Sequence, residues 1–348
     1  MDFDSLKQSI FDLTLFDIQK IVFMMGEPEY RVHQIWQGIY IDLFSRWDQF
    51  TILPKKIRHD LAERFVIHTL KPIRTISSDD KTTEKTLFHD FKGNPIETVL
   101  MHEDKRVTIC VSSQSGCAIG CVFCATGKLG LLKNLTKGEI IEQIIYIARK
   151  LKQQGLRITN VVFMGMGEPF NNYTSLITAI NTIRDKKGLN LGSRRLTVST
   201  IGIIPKIHKF AIDEPQVNLA ISLHSPNDML RNSLIPINMK YPINELINEC
   251  RAYTSNTHRR ITFEYVLLKG VNDTLDHANQ LSELLRNMLC HINLIPLNPI
   301  QSFHQKPPDP ESLLLFYKYL VKNNIPVTIR KSMGTDIHAA CGQLIGYN

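Results

Sequence analysis

From Val107 onward the chain alternates short runs rich in Val, Ile, Leu and Phe with longer segments of helical periodicity, and this alternation limits the fold more than any other feature. The runs fall at 107–113, 158–164, 195–200, 217–223, 261–268 and 292–296, with a seventh near 327–330. Near-continuous hydrophobicity is what a parallel strand buried on both faces requires. The intervening segments carry helix signals. Thr136 and Glu139 form a capping box before Ile140, Ile141, Ile144 and Ile145. Pro242 opens a second helix, and Thr274 caps a third that is expected to run to about Asn287. The expected fold is α/β, a partial barrel of six βα units. In such barrels the chemistry lies on loops that follow the strands.

The first 106 residues have a different texture. Residues 1–75 read as short helices, with Ile10, Leu13, Phe16, Ile18 and Ile21 on one apolar face and Val32, Ile35, Trp36 and Ile39 on another. Residues 83–91 and 96–102 flank the turn Lys92-Gly93-Asn94-Pro95 and read as a β-hairpin. The expected division is therefore a small helical N-terminal domain (1–75), a hairpin extension (76–106) and a catalytic barrel (107–348).

Lys plus Arg outnumber Asp plus Glu by 41 to 33, a surplus that favours a polyanionic partner such as RNA. Lys55-Lys56, Lys128, Lys133, Lys186-Lys187, Arg194-Arg195, Arg259-Arg260 and Arg330-Lys331 are the basic groups that would meet phosphates. No apolar stretch approaches the roughly 18 residues of a membrane span. Asp2, Asp4, Asp12 and Asp17 near the start argue against a secretory signal. Seven cysteines then point to metal or thiol chemistry in a reducing, cytoplasmic setting.

Cys117, Cys121 and Cys124 have the spacing CxxxCxxC directly after the first barrel strand. Three thiolates on one loop can bind three corners of a cubane cluster, and iron–sulfur clusters normally take four. The vacant iron can hold S-adenosylmethionine through its amino and carboxylate groups, opening radical chemistry at carbon. The alternative is a structural zinc site with Cys110 or a histidine as fourth ligand, in a non-catalytic RNA-binding protein. The loop Gly165-Met166-Gly167-Glu168-Pro169 follows the second strand; its glycines let backbone approach a ligand, and Glu168 is a candidate partner for an ammonium group. Ser199, Ser222, Leu223, His224 and Asn298 sit at other strand ends and are candidates to line the same cofactor pocket. Cys250 and Cys290 read as buried small hydrophobes, and Glu97, on the residues alone, as a strand-surface carboxylate.

The segments SSQSGCAIGCVFCATG, FMGMGEP, RRLTVSTIGIIP, AISLHSPND, INLIPLNP and DIHAACGQL together resemble the RlmN/Cfr family of radical S-adenosylmethionine methyltransferases, in order from about Glu97 to the C-terminus. The resemblance implies a radical SAM partial (β/α)6 barrel holding a [4Fe-4S] cluster, and a two-stage methylation of an adenine in 23S rRNA. One S-adenosylmethionine methylates the cysteine matching Cys341. A second is cleaved reductively, and its radical takes a hydrogen from that S-methyl group. The methylene then adds to the adenine, and the cysteine matching Cys110 releases the product by forming a disulfide with Cys341. Glu97 matches the proton acceptor. The resemblance also implies 23S rRNA not yet fully assembled into ribosomes, transfer RNA as a second substrate, a reductase or flavodoxin-type electron donor, and a monomer. The family divides between carbon 2, in housekeeping enzymes, and carbon 8 of the same adenine, in antibiotic-resistance enzymes. Cys124-Ala125-Thr126-Gly127, Ile201-Gly202-Ile203-Ile204-Pro205 and Ser225-Pro226 resemble the resistance branch. Pro169 after Glu168, Glu264-Tyr265, Pro296-Leu297-Asn298-Pro299 and Arg330-Lys331 resemble the housekeeping branch and, expected closer to the pocket, favour carbon 2.

Overall fold

Polar side chains recur on alternate positions of the barrel strands, and that pattern governs the architecture. The computed structural model describes residues 7–344. Its main sheet has ten strands, here β1 (Lys71–Ser77), β2 (Thr83–His89), β3 (Pro95–Glu103), β4 (Arg106–Cys110), β5 (Asn160–Phe163), β6 (Leu196–Thr200), β7 (Asn218–Ser222), β8 (Ile261–Leu267), β9 (Cys290–Pro296) and β10 (Val327–Ile329). Their spatial order follows the sequence order throughout. The pairs from β1 to β4 are antiparallel, and those from β4 to β10 are parallel.

One face of the parallel strands packs on helices, among them Lys137–Gln153, Tyr173–Arg184, Ile204–Asp213, Ile243–Thr257, Leu275–Leu284 and Pro310–Lys322. The Thr136–Glu139 capping box forms as its sequence requires, and so does the Thr274 cap. The third helix stops at Leu284 rather than near Asn287. The other face is not packed. Thr108, Asn160, Thr197, Asn218, Thr262, Asn293 and Thr328 line a cavity of about 1450 Å³. Thr108 pairs with Asn160, Thr197 with Asn218, and Asn293 with Thr328, so the polar positions are in register around the sheet. The strands are therefore apolar toward the helices and polar toward the lumen, not buried alike on both faces.

The extension has three strands rather than two. β1 is an edge strand of mostly exposed Lys, Arg, Thr and Ser residues with a bulge between Pro72 and Arg74. Charge, proline and bulge are ordinary protections of an exposed edge, and they hide the strand from a search for apolar runs. The expected boundary at residue 75 falls inside it. The hairpin is also continuous with the barrel sheet, because β3 pairs directly with β4.

Helices Leu15–Met24 and Tyr30–Tyr40 form the N-terminal region, burying Ile18, Val22, Val32, Ile35, Trp36 and Ile39. Phe16, expected on the apolar face, is 61% exposed. This region docks on the helix Lys137–Gln153. Gly138 N–H donates to Asp12 Oδ1 at 2.6 Å, Lys137 Nζ to the Leu13 carbonyl at 2.7 Å, and Arg149 to the carbonyls of Leu43 and Phe44. Among the described residues no helix is long and apolar enough to cross a membrane.

Candidate active site

The three cysteines lie on a loop held at its base by a two-stranded ribbon, Gln114–Gly116 with Leu131–Asn134. Cys117 N–H donates to the Gly130 carbonyl at 2.8 Å, and Val122 N–H to the Leu234 carbonyl at 3.1 Å. Gly116 has φ +72°, and a Cβ there would stand 1.9 Å from the Gly130 carbonyl oxygen. Only glycine fits this crossing. Cys117, Cys121 and Cys124 are all partly exposed, and burial raises the pKa of each thiol, that of Cys117 to about 12. Phe123 packs edge-on against His224, with ring centroids 5.0 Å apart.

The strand-end loops meet beside this loop. At Gly167 φ is +98°, and a Cβ would collide with the Gln114 side chain, so the backbone passes close over that ribbon residue. Glu168 is buried, and its carboxylate accepts from Phe170 N–H (3.0 Å), Thr200 Oγ1 (2.7 Å) and Ile201 N–H (2.8 Å). Burial lifts its pKa to about 7. These donors tie the loop to the end of β6; two of them fall on Oε1 and one on Oε2. Ser199 and Ser222 face each other at 3.4 Å. Leu223 and His224 follow the end of β7. Leu223 is fully buried, and both of these residues' N–H groups point at the Glu264 carbonyl. His224 Nδ1 accepts from Val266 N–H at 3.0 Å, and burial, then Arg231, lower its pKa to about 3.

Arg231 organises these ends. It is completely buried and donates to the carbonyls of Leu223 (3.0 Å), Ile201 (2.6 Å) and Ser222 (3.1 Å) and to Asn238 Oδ1 (2.7 Å). Sequence reasoning missed it, because an arginine in a short helix reads as solvent-facing.

The C-terminal segment closes the opposite side. Ala125 N–H donates to the Gly342 carbonyl at 2.7 Å, and Thr126 Oγ1 to the Leu344 carbonyl at 2.6 Å, joining this segment to the cysteine loop. Asn298 Nδ2 donates to the Cys341 carbonyl at 3.1 Å, which makes Asn298 an anchor of the Cys341 loop. Cys110, Cys341, Glu264, Arg330 and Asn298 all line the large cavity. Cys341 is exposed, whereas Cys110 is buried, with its thiol pushed up to about 12 first by desolvation and then by Cys341. The pKa of the Arg330 guanidinium is raised by Cys341 first and then by Glu264, whose Oε2 is 3.7 Å away, and Cys110. Glu97 stands apart. It is buried in an ion pair with Lys85 at 3.0 Å, in a small recess shared with Arg74, Ile76 and Leu87, and Lys85 Nζ also donates to the His338 carbonyl at 3.2 Å. Cys250 and Cys290 are buried in the core.

Residues 111–281 match the Radical SAM superfamily. The chain is 44% identical over 336 residues to a probable dual-specificity RNA methyltransferase RlmN of Geobacillus kaustophilus, covering 97% of this chain and 92% of that protein. A protein of the same description from Chloroflexus aurantiacus is 42% identical, with 98% and 93% covered. The crystal structure of a radical SAM methyltransferase from Sphaerobacter thermophilus superposes with TM-score 0.96 at 48% identity, covering 98% of this chain and 100% of that one. The chain belongs to the RlmN family.

RlmN-family proteins are radical SAM enzymes, so this chain uses a [4Fe-4S] cluster and S-adenosylmethionine. The donor set fits the cluster: three thiols on one pinned loop, each partly exposed, with the strand-end loops beside them.

Proposed function

We propose that this RlmN-family chain methylates carbon 2 of an adenine in 23S rRNA before full ribosome assembly, with transfer RNA as a second substrate, in the cytoplasm. The relatives are described as dual-specificity RNA methyltransferases, which supports RNA as the substrate class. When bound, the cluster and S-adenosylmethionine supply methyl groups and a carbon-centred radical, and Cys117, Cys121 and Cys124 would hold the cluster. Gly167, Glu168, Ser199, Ser222, Leu223, His224 and Asn298 would receive the cofactor. The electron would come from a reductase or flavodoxin-type donor, and the chain would act as a monomer.

The roles of this chain's own residues follow from their chemistry. Adenine carbons are poor nucleophiles, whereas a thiolate accepts a sulfonium methyl readily. Cys341, exposed on the cavity wall, takes the methyl. Cys110 faces the same cavity. Once the adduct has lost its ring proton and its odd electron, the Cys110 thiolate attacks the Cys341 sulfur. The S–S bond forms, the bond from that sulfur to the methylene carbon breaks, and the electron pair left on carbon takes a proton to give the methyl group. By the resemblance Glu97 is the proton acceptor; it lies outside the cavity lining, paired with Lys85, so the base must reach that recess for the ring proton to be taken. The observation that carries the reading is the pair of cysteines, Cys110 from β4 and Cys341 from the far end of the chain, facing one cavity around one arginine.

Mass spectrometry of nucleosides from 23S rRNA treated with the reconstituted enzyme tests it. The expected product is 2-methyladenosine. 8-Methyladenosine would replace carbon 2 with carbon 8, and unmodified adenosine would remove the activity.

A further inference from the structure

Glu264 is a buried carboxylate, 4% exposed, on the cavity wall beside Arg330 and on the same lumen as Cys110 and Cys341. Its two oxygens have different surroundings. Oε1 accepts from Asn293 Nδ2 at 3.0 Å. Asn293 Oδ1 in turn accepts from Thr328 Oγ1 at 2.9 Å, and Thr328 Oγ1 lies 3.0 Å from His291 Nε2. This chain crosses β8, β9 and β10 and fixes the carboxylate's rotation. Among the described residues Oε2 has no hydrogen-bond partner, and Arg330 Nη1 stands 3.7 Å from it. A buried carboxylate oxygen left without a donor is destabilising unless a ligand completes it.

The ligand must supply a donor to Oε2 and tolerate the guanidinium next to it. Arg330 runs from the end of β10 across the lumen, with Nη1 3.7 Å from Glu264 Oε2 and 4.0 Å from Met164 Sδ beyond β5, so its guanidinium lies between Glu264 and Met164, which packs with Cys110. Acceptor and donor thus stand side by side on one wall. The Watson–Crick edge of adenine is the complement: the exocyclic amine donates and ring N1 accepts. Carbon 2 is the ring atom next to N1, on the side away from the amine. A base read by Glu264 and Arg330 in that order turns carbon 2 toward the cysteines and carbon 8 away from them. Enzymes acting on flipped bases read this edge.

Building on the adenine-methylation reading above, we propose that Glu264 and Arg330 are the specificity-determining pair, with Glu264 Oε2 accepting from the adenine amine and Arg330 donating to N1. Asn293 is the positioning residue that leaves Oε2 free for the base.

The test uses the full-length reconstituted enzyme and a 23S rRNA fragment with either adenosine or purine riboside at the modified position. Purine riboside keeps N1 and carbon 2 but lacks the amine. The wild-type kcat/KM should fall about 10- to 100-fold on this change, the loss expected for one hydrogen bond to a charged acceptor. In Glu264→Gln, Asn293 Nδ2 would hold the amide oxygen and turn its NH₂ toward the base. Discrimination between the two RNAs should then fall to within about threefold, an effect a purely structural role would not produce. Equal wild-type rates on the two RNAs, or a Glu264→Gln enzyme that discriminates as the wild type does, would overturn the proposal. The first of these arms does not depend on how the variant folds. If the wild type leaves the adenosine RNA unmodified, the underlying reaction fails and this assignment with it; methylation of both RNAs alike overturns the assignment alone.

Discussion

Two buried ionisable side chains flank the cofactor loops and pull the pH dependence of stability in opposite directions. His224 has its pKa lowered to about 3 by burial and Arg231, so folding favours its neutral form. The unfolded chain binds that proton near pH 6.5, and His224 therefore withdraws stability as pH falls from about 6.5 toward 3. Glu168, lifted to about 7, withdraws stability as pH rises from about 4.5 to 7. Comparing wild type with His224→Gln isolates the histidine. Urea midpoints should show the wild type losing up to about 1.4 kcal/mol more per pH unit than the variant over the acid window; parallel curves would contradict the burial argument. Neither residue's burial was legible in the sequence. Histidine at a strand end has the same composition signal whether it stands open or packs against Phe123, and only the path of the chain decides. Arg231 was hidden for the same reason.

At the scale of elements, the cysteine loop depends on the ribbon that carries it. The ribbon strands have three and four residues, too short for any periodicity to register. Gly116→Ala forces a Cβ onto the Gly130 carbonyl and asks for a left-handed residue, so the ribbon must open. Anaerobic reconstitution should give less than about half the wild-type iron per chain, a loss expected from the displaced loop; full iron content would show that the ribbon does not position the cysteines. The parallel strands were legible because their helix-facing positions are apolar. Their lumen-facing Thr and Asn residues were also visible as an alternation. Read as continuous hydrophobic runs, however, the strands conceal it, and with it the cavity and Glu264.

Across the whole molecule, sequence reading found the α/β class, the barrel and the cysteine loop, because backbone periodicity and ligand spacing are local properties. It could not find the N-terminal docking through Asp12, Lys137 and Arg149, nor the closure of the barrel by the C-terminal segment, because both join residues more than a hundred positions apart. Charge is also redistributed by folding. Lys133 is taken up in ion pairs with Asp90 and Glu139, and Arg330 faces Glu264, whereas Lys55, Lys56, Lys128, Lys186 and Lys187 remain exposed. RNA affinity should fall steeply with salt, with a log–log slope of about −0.7 to −0.9 per phosphate contacted; a flat response would argue against RNA.

The central claim is that Cys341 carries the methyl carbon to the base and Cys110 frees it. Gel electrophoresis and peptide mass spectrometry of Cys110→Ala, incubated with S-adenosylmethionine, reductant and RNA, test it most directly. The account predicts accumulation of chain joined covalently to RNA through Cys341. Free, methylated RNA produced at the wild-type rate, with no joined species, would contradict it.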